Sequence, residues 1–142
     1  METVFQLSNF LTIPFWLLMI FAPTWGWSRR IMASIWTLVP ISLLYAVLLG
    51  IGVGNTGVVA DLMNPTLSAI AALLGTPEGA AIGWAHFLAF DLFVGRWAYL
   101  DSRERGLTPW LVSPALFFVL MSGPFGLLLY LVVRWFLTRR TA

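Results

Sequence analysis

The sequence contains no cysteine and no lysine, and it holds a single histidine, His86. The lack of cysteine excludes disulfides, thiolate catalysis and cysteine-bound metals. One histidine without an HExxH-type partner provides too few ligands for a metal site, so we expect no metal. All eight basic residues are arginine.

Charged residues make up only 10% of the 142 residues, whereas 60% are hydrophobic and the mean hydropathy is +0.89. A water-soluble domain of this size could not bury so much apolar surface, so we expect lipid to surround most of the chain. The eight tryptophans agree with this, since indole prefers the membrane–water boundary. A net charge of +2 is too small and too scattered to indicate nucleic-acid binding.

Four apolar runs are each long enough to cross about 30 Å of hydrocarbon as a helix. They predict an all-α fold, a single domain over residues 1–142 built as an integral membrane bundle of four transmembrane helices. The predicted spans cover about 4–21, 30–52, 77–100 and 109–136. Between the second and third spans, residues 65–74 are too few to cross and predict a short interfacial helix.

Two of these helices have clear start signals. Thr76-Pro77-Glu78 combines an N-cap residue, a proline at the first helical position and an acid in the first turn. Thr108-Pro109 repeats the cap and the proline before the fourth span. Prolines 14, 40 and 124 lie inside three of the four predicted spans, where each removes a backbone donor and predicts a kink.

The arginines predict the orientation of the bundle. Four crossings would place both termini on one side, and the two loops on the other side carry four arginines: Arg29, Arg30, Arg103 and Arg105. Arg139 and Arg140 would lie across the membrane from these loops, in the C-terminal tail. The positive-inside rule then favours cytoplasmic or equivalent loops.

The third span carries ionisable residues at intervals of five: His86, Asp91, Arg96 and Asp101. Five residues advance a helix by roughly 140° net, so neighbours in this series do not share a face and no His–Asp dyad within the helix is expected. Asp101 and Arg105 have the i,i+4 spacing of a solvated ion pair that ends the helix. Arg96 is expected to snorkel toward the same surface.

His86 and Asp91 lie well inside the third span, where an ionisable group costs about 2.5–3.5 kcal/mol and usually faces the bundle interior. In an antiparallel bundle, the depth of His86 matches Tyr45 on the second span and Tyr130 on the fourth. Asp91 comes level with the Gly123-Pro124 break. Together these groups predict a polar layer that suits acid–base chemistry. The alternative is that Asp91 only caps the broken backbone or pairs with an arginine and so holds the bundle together.

Several stretches resemble the neoxanthin-synthase-like family, the abscisic-acid-deficient type of small membrane protein. They are LTIPFWLLMIFAPTWGWSRR, NPTLSAIAALLG, GWAHFLAFDLFVGRW and FFVLMSGPFGLLLYLV, of which HFLAFDLFVGRW is the most specific. The plastid transit segment of the plant members is absent here, so we expect a bacterial or cyanobacterial member. Its expected location is a bacterial inner or thylakoid-type membrane, as a multi-pass protein.

The resemblance implies a carotenoid isomerase that opens an epoxide to an allene without a cofactor. His86 and Asp91 are then the acid–base candidates, with Tyr130, Tyr45 and Arg96 in support. The expected partners are membrane lipid and a carotenoid or other hydrophobic ligand, and a homo-oligomer is left open. The alternatives are a non-catalytic pigment- or lipid-binding protein and, with less support, a small proton-coupled transport subunit.

Overall fold

The computed structural model describes residues 1–55, 59 and 63–139, and the regular elements in these ranges are helices. The predicted all-α class is therefore confirmed. The short connection between the second and third spans lies partly outside the described residues, as does Arg140. The elements are α1 Glu2–Phe21, α2 Gly26–Ala33, a 3₁₀ turn Ile35–Thr37, α3 Val39–Asn55, α4 Leu67–Leu74, α5 Pro77–Glu104, α6 Pro109–Ser122 and α7 Pro124–Arg139.

The 28-residue helix α5 is the centre of the fold, and each of the other α-helices packs against it. It begins as the sequence predicts: the Thr76 hydroxyl accepts a hydrogen bond from the Gly79 N–H at 3.0 Å, and Pro77 occupies the first helical position. Small buried residues on its faces, including Ala85 and Ala98, let the neighbouring helices approach closely. α5 therefore fixes the positions of the side chains that come from α1, α3, α6 and α7.

The second predicted span, 30–52, is not one helix. α2 ends at Ala33, and the Ser34 backbone is extended, with its side chain capping the 3₁₀ turn that follows. α3 then begins at Val39, so Pro40 stands in its first turn, where its missing N–H costs nothing. Pro40 therefore marks the start of a helix and not a kink within one. The sequence does not distinguish the two, because the residues on both sides of Pro40 are apolar.

The fourth predicted span, 109–136, is a helical hairpin. Gly123 has a φ of +28°, a conformation that side-chain-bearing residues rarely adopt, and it ends α6. Pro124 then starts α7, which folds back so tightly that a Cβ on Gly126 would overlap the backbone of Val119. The break predicted as a kink is therefore a reversal of the chain.

The hairpin brings the C-terminal half of α7 back to the C-terminal end of α5. Tyr130 and Arg134 of α7 both contact Asp101, near the C-terminus of α5. The turn of the hairpin lies beside Asp91, near the middle of α5. The two are so close that a Cβ on Gly123 would overlap the Asp91 carboxylate. The predicted position of Tyr130 at the depth of His86 is wrong, since it assumed a continuous fourth helix.

By length and composition, one described helix, α1, is long and apolar enough to cross a membrane. The apolar parts of α3 and α6 are shorter, and the four predicted transmembrane helices are not confirmed. α5 is longer than α1, but His86, Asp91 and Arg96 reduce its hydropathy. The predicted short helix at 65–74 is confirmed as α4, Leu67–Leu74, whereas its interfacial position stays a prediction.

Candidate functional site

A cavity of about 250 Å³ lies between α3, α4 and α5. Each helix contributes one face at helical spacing, because residues three, four and seven apart lie on the same side of a helix. Its walls are aliphatic except at Tyr45, His86 and Phe87. The lining residues are Tyr45, Leu49 and Gly52 from α3, Ile70, Leu73 and Leu74 from α4, and Gly79, Ile82, Gly83, His86 and Phe87 from α5.

The imidazole of His86 and the phenol ring of Tyr45 lie side by side at this cavity. Their ring centroids are 5.3 Å apart with the planes inclined by 60°, and the Phe90 ring lies 4.8 Å from the imidazole. Within the described part of the chain, the contacts of His86 are these ring contacts and one with Phe87, with no hydrogen bond. Among the described residues neither imidazole nitrogen has a hydrogen-bond partner, and the predicted match in depth between Tyr45 and His86 is confirmed.

Asp91 lies on a different face of α5, as the five-residue spacing predicts. Its carboxylate packs against Gly123, at the tip of the hairpin, and Asp91 is not among the residues that line the cavity. The N-terminus of α7 begins at the next residue, Pro124, and the helix dipole there favours a nearby negative charge. This position suits stabilisation of the turn.

Tyr130 and Arg96, the other two predicted site residues, lie away from the cavity. The buried Tyr130 donates a hydrogen bond to Asp101 at 2.5 Å, and its ring meets Trp97 edge to face. The Nη2 atom of Arg96 donates to the Ala33 carbonyl at 3.0 Å, at the end of α2. Arg96 therefore links α2 to α5, and its snorkelling toward the membrane surface stays a prediction.

Asp101 is the centre of a polar cluster at the end of α5. It accepts hydrogen bonds from Tyr130 and from the Nε of Arg105 at 2.9 Å, and the Nε of Arg134 lies 3.2 Å away. Its side chain is only 14% exposed. Burial by itself raises the pKa of Asp101, but the hydrogen bonds from Tyr130 and Arg105 and the charge of Arg134 lower it below the ordinary 3.8.

The predicted Asp101–Arg105 pair is therefore present, but it is not the solvated surface pair that the i,i+4 spacing indicates. The sequence analysis missed Arg134 and Tyr130 as partners of Asp101. No local signal could have revealed them, because they reach Asp101 through the hairpin and lie about thirty residues further along the chain.

Comparisons with known proteins agree with the resemblance found in the sequence. The profile of the ABA DEFICIENT 4-like family matches residues 3–130. Protein ABA DEFICIENT 4, chloroplastic, from Arabidopsis thaliana is 30% identical over 108 residues, which cover 73% of this chain and 49% of that protein. The chain thus spans about half the length of this curated relative, and no solved structure matches it significantly. The chain belongs to the ABA DEFICIENT 4-like family.

Proposed function

We propose that this protein is a membrane-embedded, carotenoid-modifying isomerase whose active site is the cavity at His86. The observation that carries the proposal is the chemistry of the cavity walls. An apolar pocket with one imidazole and one phenol at its edge suits a hydrophobic ligand that must gain one proton and lose another. The family membership supports a carotenoid as that ligand.

The surface of the protein supports a membrane environment. Many large apolar side chains point outward, including Phe10, Trp36 and Phe21, which are 72%, 73% and 74% exposed. A water-soluble monomer rarely exposes so many large apolar groups in contiguous patches. In the proposed arrangement α1, α3 and α5 cross the membrane, and the hairpin of α6 and α7 enters it and returns to the side from which it came.

The size of the cavity limits what it can hold. Its volume of about 250 Å³ is below the roughly 300–1,000 Å³ of pockets that enclose a whole drug-sized ligand. A carotenoid of about forty carbons would place one end ring and the adjoining carbons beside His86. The rest of the polyene would lie along the apolar helix surfaces, in the lipid.

The chemistry is an epoxide opening that forms an allene and leaves the molecular mass unchanged. The Tyr45 hydroxyl donates a proton to the epoxide oxygen as the carbon–oxygen bond breaks, and the neutral imidazole of His86 takes a proton from the adjacent polyene carbon. The electron pair of that carbon–hydrogen bond forms the new double bond. One proton then passes from His86 back to Tyr45, which restores both groups.

Product analysis tests this function directly. Membranes that contain the protein are fed an epoxy-carotenoid, and the extracted pigments are separated by chromatography and weighed by mass spectrometry. We expect a new species of identical mass and different retention time. Pigment that co-purifies unchanged would contradict the isomerase.

A second candidate function is non-catalytic binding of a pigment or lipid. The position of Asp91 favours it, because the second ionisable group predicted for the site packs against the hairpin turn instead of the cavity. In that case His86 and Tyr45 would only orient a hydroxylated ring of the ligand by hydrogen bonds. The same extraction would then recover bound pigment with the composition of the supplied mixture.

The proposed topology predicts which residues face the same compartment. The chain has no cysteine, so single cysteines can be introduced at exposed positions and labelled from one side of sealed vesicles. We expect Glu104→Cys and Arg139→Cys to react from one side, and Glu2→Cys and Glu78→Cys from the other. Four complete crossings would instead put residues 2 and 139 on the same side, and that result would overturn the hairpin arrangement in the membrane.

A further inference from the structure

The hairpin gathers positive charge at one end of the molecule. Arg134 of α7 joins the arginines of α2 and those at the C-terminal end of α5, whereas Glu2 and Glu78 stand at the opposite end. We call this region the arginine end, and it consists of Arg29, Arg30, Arg103, Arg105 and Arg134. The acidic residues of α5 that lie close to these arginines in sequence are Asp101 and Glu104.

The five arginines differ in whether a carboxylate neutralises them. Arg105 and Arg134 both pair with Asp101. In residues 1–55, 59 and 63–139, neither Arg29 nor Arg103 has a carboxylate oxygen within 4.0 Å. Arg103 instead donates to the Leu107 carbonyl at 2.7 Å, and a neutral acceptor of this kind leaves its charge uncompensated.

Arg29 of α2 and Arg103 of α5 belong to the junction where α2 packs against the end of α5, beside Tyr99. The Tyr99 hydroxyl donates to the Pro23 carbonyl at 2.9 Å, which fastens the start of α2 to α5, and the Arg103 guanidinium lies 6.0 Å from the centre of the Tyr99 ring. Because neither charge has a carboxylate partner among the described residues, this junction favours a bound anion.

The side chains around this pair belong at a membrane surface. Trp25 and Trp27, at the start of α2, are 53% and 56% exposed, and Arg30 lies 5.5 Å from the ring of Trp27. Tryptophan and arginine together are typical of the headgroup region, where the ring meets the acyl boundary and the guanidinium meets phosphate. The anion that these side chains suit is therefore one carried by the bilayer itself.

We propose that Arg29 and Arg103 bind the phosphate of an anionic phospholipid, so that the arginine end faces the leaflet that holds such lipids. A guanidinium can hold phosphate oxygens through two parallel hydrogen bonds, and two guanidinium groups can share one phosphate. The inference rests on the membrane part of the proposed function, and it does not depend on the carotenoid chemistry.

Native mass spectrometry of the purified protein in detergent tests the site, by titration with phosphatidylglycerol and separately with phosphatidylcholine. We expect the wild type to bind phosphatidylglycerol more tightly. Arg29→Gln and Arg103→Gln should each weaken that binding roughly fivefold, since an arginine near an anionic lipid surface contributes about 1 kcal/mol. Binding of phosphatidylcholine should stay the same in both variants.

Arg105→Gln is the matched control, because it removes one positive charge from the same end but from an arginine already paired with Asp101. An equal loss in Arg105→Gln would show that net charge alone attracts the lipid, and would overturn the specific site. Equal binding of the two lipids by the wild type would also overturn it. So would inorganic phosphate that displaces phosphatidylglycerol at equal concentration, since the site would then be one for soluble anions.

The two proposals fail in different ways. If the wild-type protein is released from vesicles of either lipid by alkaline carbonate, the membrane assignment is wrong and the lipid site falls with it. If the protein stays in the vesicles and shows no preference between the lipids, only the lipid site is wrong. Neither result depends on carotenoid conversion, so a failure of the isomerase proposal is detected separately, by the product analysis.

Discussion

Replacing His86 by glutamine should lower product formation by about 10² to 10⁴, the usual contribution of a general acid–base group. Glutamine is close in size and keeps hydrogen-bonding capacity, but it cannot exchange a proton. The imidazole makes ring contacts and no hydrogen bond within the described residues, so the variant should fold and retain pigment. The measurement is chromatographic product yield in membranes with protein amounts matched by immunoblot.

Tyr45→Phe is the companion variant. It keeps the ring that packs against His86 and removes only the hydroxyl, so a loss of product would identify the phenol as the proton donor to the epoxide oxygen. Phe87→Leu is the matched control, because Phe87 lines the same cavity and has no proton to exchange. We expect Phe87→Leu to change pigment retention but to leave the conversion of bound pigment within a few fold.

Asp91→Asn separates the two roles that the sequence leaves open for Asp91. From the position of its carboxylate against Gly123, we expect the asparagine variant to keep most of the activity, since a neutral amide still fits the turn. A loss as large as that of His86→Gln would contradict this and would restore the pair of His86 and Asp91 as the acid–base groups. Near wild-type yield in all three variants would overturn the assignment of the acid–base groups to these residues.

The helices that the sequence predicts well are those whose signals are local. The start of α5 follows from Thr76 and Pro77, and α1, Glu2–Phe21, closely matches the predicted span 4–21. In the same way, Tyr45 lies beside His86 as expected, because α3 and α5 are regular helices over the residues concerned and equal depth then means proximity.

The hairpin could not be predicted from the same kind of signal. A glycine and a proline in an apolar run predict a break, but a kink and a reversal have the same composition on either side. What separates them is the backbone conformation at Gly123 and the close approach of Gly126 to Val119, both of which depend on tertiary packing. Every error about Tyr130 and Arg134 follows from this single turn.

Replacing Asp101 by alanine should destabilise the protein clearly more than replacing Arg105 does. Without the carboxylate the fully buried Tyr130 loses the acceptor for its hydroxyl, and an unsatisfied buried donor costs about 1–3 kcal/mol. The Arg105 side chain is 40% exposed, so its loss should cost about 0–1 kcal/mol. The measurement is the midpoint of thermal unfolding in detergent, and equal midpoints for the two variants would contradict the buried cluster.

The pH dependence of the same midpoint tests the charge of Asp101 separately from its shape. The folded protein lowers the pKa of Asp101, so the stability that the carboxylate contributes is fully present above the ordinary value of 3.8. That contribution is lost as the pH falls below 3.8 and through the lower pKa of the folded state. Asp101→Asn can still accept the hydrogen bond from Tyr130 but has no charge for Arg134. We therefore expect the wild type to exceed Asp101→Asn by a constant margin near neutral pH, and the margin to shrink below 3.8. A margin that persists there would mean that packing, and not the ionised carboxylate, holds α7 against the end of α5.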